Sequence, residues 1–118
     1  ASDVYKRQAS NRLDNLCLIV DLNQLQVEGH TQKVMVMDPI DKKFQAFGWA
    51  VENVDGHEFG ALSAAFNQAR SNRNMPTVIL AQTIVGKGIP FLENQMSHNM
   101  VLPADVAEQC LKALECQA

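Results

Sequence analysis

Leu16-Cys17-Leu18-Ile19-Val20-Asp21-Leu22-Asn23 begins with five apolar residues and then turns polar. A run with no polar face reads as a strand buried on both sides, and such strands belong to parallel sheets. Thr77-Val78-Ile79-Leu80-Ala81-Gln82-Thr83 is a second such segment, rich in β-branched residues and preceded by the break Ser71-Asn72-Arg73-Asn74 and by Pro76. Between them, Trp49-Ala50-Val51-Glu52-Asn53-Val54 reads as a further strand, closed by the turn Asp55-Gly56-His57, with Trp49 filling the core.

Helical spacing occupies the intervals. Asp38-Pro39 opens a helix with Asp38 as N-cap and Pro39 at the first helical position; Ile40, Phe44 and Phe47 form its buried face, and Gly48 ends it. From about Glu58 to Asn72, the residues Phe59, Leu62, Ala65, Phe66 and Ala69 keep the three-and-four spacing of one buried stripe. Pro103 starts a last helix, with Val106, Cys110, Leu111 and Leu114 facing inward. Residues 24–37 show no sustained periodicity and read as a loop. Strand, helix, strand, helix, strand in this order needs right-handed crossovers and gives an α/β fold, a parallel sheet covered by helices. Ligands in such sheets sit beyond the carboxyl ends of the strands, here around residues 21–26, 55–57 and 83–88.

The 118 residues are 47% hydrophobic and 19% charged, an ordinary globular mixture for one domain or a piece of one. A net charge of −3, with Lys42, Lys43, Arg70 and Arg73 scattered, leaves no basic footprint for nucleic acid. No apolar stretch approaches the roughly 20 residues of a membrane span, and no signal peptide or initiator Met opens the chain, which is expected to begin within a longer protein. Cys17, Cys110 and Cys116 are odd in number and form no CxxC pair, which suggests neither a disulfide framework nor a zinc site and fits a reducing cytoplasm. Cys17, inside its apolar run, reads as a small buried hydrophobe.

Three segments could carry chemistry. Asp21-Leu22-Asn23 offers hard side-chain oxygens at a strand end, with backbone carbonyls following at Gln24-Leu25; turn capping by Asx side chains is the plainer reading. Gly86-Lys87-Gly88 places backbone and an ammonium where an anion could approach, although it lacks the Walker A spacing, and a tight turn with a solvated lysine would look the same. His98, before Pro103, could relay a proton near neutral pH or be an ordinary loop histidine. His30 and His57 read more simply as turn residues.

Taken in order, these words resemble the transketolases. Leu13-Asp14-Asn15-Leu16, the run through Asp21-Leu22-Asn23-Gln24-Leu25-Gln26, Gly29, Ala46-Phe47-Gly48-Trp49, Val54-Asp55-Gly56-His57, Pro76-Thr77, Ala81-Gln82-Thr83, Gly86-Lys87-Gly88-Ile89, Ser97-His98 and Leu102-Pro103 all fall in the family's sequence. The resemblance covers about residues 11–114 and is nearest to the bacterial form split into two polypeptides. It implies the later part of a thiamine-diphosphate-binding domain, spanning residues 9–118, with residues 1–8 a non-matching stretch. It also implies thiamine diphosphate and Mg²⁺ (or Ca²⁺) as cofactors, and transfer of a two-carbon ketol unit from a ketose phosphate to an aldose phosphate. Asn23 matches the asparagine whose side chain binds the cation, and Leu25 the position that lends its carbonyl. Asp21 lies in the cofactor neighbourhood, Lys87 near the diphosphate, and His98 matches a histidine facing diphosphate and substrate.

The resemblance further implies a partner, a C-terminal part or subunit carrying the pyrimidine-binding domain, within a homodimer or heterotetramer. Three departures stand against it. The family's upstream Gly-Asp-Gly, which supplies another metal ligand, is not in this chain; Val85 stands where many relatives have lysine; Asn99 stands where glycine usually follows the histidine. Related synthases (1-deoxyxylulose-5-phosphate synthase, dihydroxyacetone synthase) and a non-catalytic α/β remnant acting as an interaction module are the alternatives.

Overall fold

The computed structural model describes residues 2–26, 29–30, 39–95 and 100–115. Its elements in chain order are α1 (Ser2–Ser10), β1 (Cys17–Leu22), β2 (Leu25–Gln26), β3 (Gly29–His30), α2 (Ile40–Ala46), β4 (Ala50–Asp55), α3 (Phe59–Ser71), β5 (Thr77–Gln82) and α4 (Ala104–Glu115). The chain divides into two compact units, one of Ala1–Leu22 with Met37–Thr83, the other of Asn23–Val36 with Ile84–Ala118. The short pair β2 and β3 and the helix α4 belong to the second unit, and the other elements to the first.

The expected parallel sheet is present in the first unit. Its order is β1-β5-β4, with Cys17 opposite Thr77 and Ala50 opposite Thr77 at one end, and Leu22 and Asp55 opposite Gln82 at the other. Among the described residues only β5 is paired on both sides, and its Val78, Ile79 and Leu80 are fully buried, so that both of its faces are covered. β1 differs from the sequence reading. It is an edge strand whose residues alternate, Leu18, Val20 and Leu22 turning to the core while Cys17, Ile19 and Asp21 are exposed, Ile19 at 53%. An apolar run records that its residues can be buried, and the strand's place in the sheet decides whether they are. Cys17 is therefore no buried hydrophobe, although partial burial pushes its thiol pKa up and keeps it protonated.

The core packs Ile40, Phe44 and Trp49 on Val78 and Leu80. Trp49 and Phe44 meet edge to face at 5.5 Å between ring centroids, and Tyr5 of α1 joins both rings at 6.0 and 5.2 Å while its carbonyl accepts the Trp49 indole N–H. Nothing in the sequence reading foresaw α1, whose residues are mostly polar. Pro39 occupies the N-cap of α2, not its first helical position, and Asp38 lies outside the described residues. The helix ends as expected: Gly48, at φ +85, donates to Gln45 O while Trp49 N donates to Phe44 O, the paired bonds of a Schellman turn.

α3 packs on β4. Glu58 caps it, its carboxylate accepting from Gly60 N and Ala61 N, and Asn72 closes it by donating to Thr77 Oγ1 at 2.8 Å. Its buried stripe is narrower than expected. Ala65 and Ala69 are buried, whereas Phe59 is 85% exposed and Phe66 is also exposed. In α4, Cys110 is buried and Val106 half-buried, but Leu111 and Leu114 are exposed, contrary to the expected inward face. Spacing identifies an apolar stripe but not how much of it another element covers. The small antiparallel pair β2–β3, Leu25 opposite His30, interrupts the expected loop. Among the described residues, no helix is long and apolar enough to cross a membrane.

Candidate functional site

The parallel register brings Leu22, Gln82 and Asp55 level at the carboxyl ends of the three strands. There Thr83 acts as a staple. Its N–H donates to Leu22 O, its hydroxyl donates to Asp21 Oδ1, and its methyl group lies over Gly56, whose N–H donates to Gln82 O at 2.7 Å. Asp55 Oδ1 in turn accepts from His57 N at 2.8 Å, which folds the next turn back on the strand end. Asp21 thus has a structural bond that the sequence did not show, because its partner Thr83 is 62 residues away.

A side chain at Gly56 has no room. A Cβ there would meet Thr83 Cγ2 at 2.5 Å and Gln82 O at 3.0 Å. Gly56→Ala is expected to cost about 1–3 kcal/mol of stability. Thr83→Ser keeps the hydroxyl but removes Cγ2, so it should recover part of that loss in the double variant. Denaturant melts of both single variants and the double form a cycle that measures the coupling; additive effects would refute the crowding account.

In the second unit, Asn23 follows directly on the last residue of β1, and its Oδ1 accepts from Leu25 N at 3.0 Å. This Asx turn is the plain reading of the residue. It also fixes the carboxamide oxygen and the Leu25 peptide together, engaging one of the oxygen's two lone pairs. Gln24 lies between them at φ +62, a left-handed conformation that the sequence did not announce. Lys87 is not simply solvated: its Nζ lies 3.8 Å from Glu93 Oε1, which also accepts from Gly88 N at 3.2 Å. Asn23 and Leu25 are thus joined directly, Asp21 is joined to Thr83, and Lys87 to Glu93. His98 and Asn99 lie outside the described residues.

A cavity among the described residues lies elsewhere. It holds about 390 Å³ in the first unit beside Asn15, Cys17, Phe66, Ala69, Arg70 and Arg73, at the amino-terminal end of β1. Parallel sheets bind ligands at the opposite end. Among the described residues, no group of three or more His, Cys, Asp or Glu side chains could hold a metal ion.

Comparison with known proteins gives this arrangement its context. A sequence model described as the transketolase thiamine diphosphate binding domain matches residues 1–117. The chain belongs to the transketolase family. The transketolase fold is equally clear in structure: transketolase from Campylobacter jejuni superimposes with a TM-score of 0.88 at 26% identity, over 97% of this chain and 18% of that one. The 6-deoxy-6-sulfo-D-fructose transketolase subunit SqwG of Clostridium sp. is 38% identical over 88% of this chain and 38% of its own length. One of the subunits of the apulose-4-phosphate transketolase of Actinobacillus succinogenes is 35% identical over 91% of this chain and 39% of its length. The chain thus spans less than two fifths of each of these transketolase relatives.

Proposed function

We propose that this chain is one wall of a transketolase active site, in which a two-carbon ketol unit passes from a ketose phosphate to an aldose phosphate. The observation that carries the reading is the Asn23 turn directly after β1, in a chain matched to the thiamine diphosphate domain along its length. Thiamine diphosphate, when bound, supplies the carbanion-stabilising chemistry that protein side chains lack.

The residues present fit part of such a site. Mg²⁺ (or Ca²⁺) takes hard oxygen donors, and Mg²⁺ keeps several waters and phosphate oxygens alongside a few protein ligands. Asn23 Oδ1 and the Leu25 carbonyl oxygen are donors of that type on one short turn. In this reading Asn23 and Leu25 hold the cation, Lys87 adds positive charge for the diphosphate, and His98 moves a proton near cofactor and substrate. Asp21, tied to Thr83, supports the strand end that leads into Asn23. Two of the relatives are named as subunits, which supports a partner polypeptide; in this reading that partner carries the pyrimidine-binding domain, and the assembly is a homodimer or heterotetramer in the cytoplasm. In this reading residues 9–118 are the transketolase part proper, and the family match takes in residues 1–8 as well.

Titration calorimetry with thiamine diphosphate and Mg²⁺ tests the reading, on the chain alone and combined with a complementary transketolase part. Binding and ketol transfer are expected in the combination, and weak or no binding in the chain alone. A combination that binds no cofactor would support the non-catalytic module instead. Turnover with pyruvate in place of a ketose phosphate would support the 1-deoxyxylulose-5-phosphate synthase reading.

A further inference from the structure

The loop of residues 84–95 is closed on itself more tightly than a solvated connection requires. Asn94 N donates to Val85 O at 2.9 Å with Asn94 at φ +59, and Ile89 N donates to Gly86 O at 3.1 Å. Gly86, at φ +72, passes so near Leu92 that a Cβ on it would lie 2.6 Å from the Leu92 carbonyl oxygen. Into this loop Glu93 sends a single oxygen, Oε1, which takes the Gly88 N–H and faces the Lys87 ammonium.

We propose that Glu93 is a positioning residue, whose carboxylate holds the Gly86–Gly88 turn closed and so sets how Lys87 and the turn's backbone are offered to a diphosphate. The proposal rests on the reading of that turn as a cofactor contact. Two interactions meet at Oε1, and magnitude separates them. The ion pair is long and its lysine is half-exposed, so solvent screening leaves it little strength. A carboxylate bonded to a backbone N–H is a charge-assisted hydrogen bond that fixes a direction. The bond to Gly88 therefore does the positioning, and the pair with Lys87 follows from it.

Three variants separate these roles in the full chain combined with a complementary transketolase part: Glu93→Ala, Glu93→Gln and Lys87→Met. Gly88 amide hydrogen exchange is measured without cofactor, and thiamine diphosphate affinity is measured by calorimetry with Mg²⁺. Glu93→Ala should speed Gly88 exchange and weaken cofactor binding about tenfold, the scale of one lost hydrogen bond to a charged group. Glu93→Gln keeps an oxygen acceptor without the charge, and should fall between wild type and Glu93→Ala on both readouts. Lys87→Met should weaken binding while leaving Gly88 exchange unchanged. Unchanged exchange and affinity in Glu93→Ala, or a Glu93→Gln variant as impaired as Glu93→Ala, would overturn the proposal. Absence of binding by the wild type would overturn the diphosphate reading itself, and the Gly88 exchange rates, which need no cofactor, would still decide whether Glu93 closes the turn.

Discussion

Replacing Asn23 by alanine is expected to weaken thiamine diphosphate and Mg²⁺ binding about 100-fold in the chain combined with its complementary part, and to lower turnover accordingly. Two effects add. The substitution removes a hard oxygen donor from the proposed cation site, and it releases the Leu25 N–H that the same oxygen holds at 3.0 Å. Both then fall on one turn, so the carbonyl of Leu25 loses its orientation along with the side chain. Asn23→Asp is the control, because it retains both an acceptor for Leu25 N and an oxygen for the cation. Calorimetry should show Asn23→Asp much closer to wild type than Asn23→Ala. Equal affinity for wild type and Asn23→Ala would remove Asn23 from the site.

The largest effect on stability is expected at the centre of the sheet. Leu80 is fully buried in β5 and belongs to the cluster with Ile40, Phe44 and Trp49. Leu80→Ala combines lost transfer energy with a cavity left against Ile40, Phe44 and Trp49 on the face of the sheet, a cost of about 2–5 kcal/mol. Domains are stable by only about 5–15 kcal/mol, so this variant should sit close to its unfolding threshold. Leu111→Ala is the control: Leu111 is 62% exposed on α4, and its loss should change stability by no more than about 0.5 kcal/mol. Urea denaturation of both measures the contrast. Equal losses would mean that Leu111 is buried in the folded protein after all.

The same contrast shows where sequence reading stopped. Leu111 and Leu114 keep helical spacing with Cys110, and Phe59 with Leu62, yet only part of each stripe meets another element. Periodicity is a property of the segment alone, whereas coverage depends on what lies opposite. In the candidate site, Asn23, Leu25 and Lys87 could be named from the order of words along the chain. Their partners were less accessible. The Asx bond from Asn23 to Leu25 is local and could be anticipated, but Thr83 on Asp21 and Glu93 on Lys87 and Gly88 depend on how separate turns close.

By itself the sequence determined the three strands of the parallel sheet, the three helices after them in the chain or between them, and the fold class, but not α1 or the β2–β3 pair. The β-branched run of residues 77–82, the Gly48 stop and the Glu58 start are short-range consequences of side-chain sterics and backbone hydrogen bonding, and they stand in the structure. Only the tertiary structure decided which strand lies in the centre. Residues 16–20 are all apolar and 77–81 include the polar Thr77, yet β5 is paired on both sides and sealed, while β1, among the described residues, is an edge with Cys17 and Ile19 turned outward. Strand order arises from pairings between segments some 60 residues apart, which no local pattern records, and burial follows from that order.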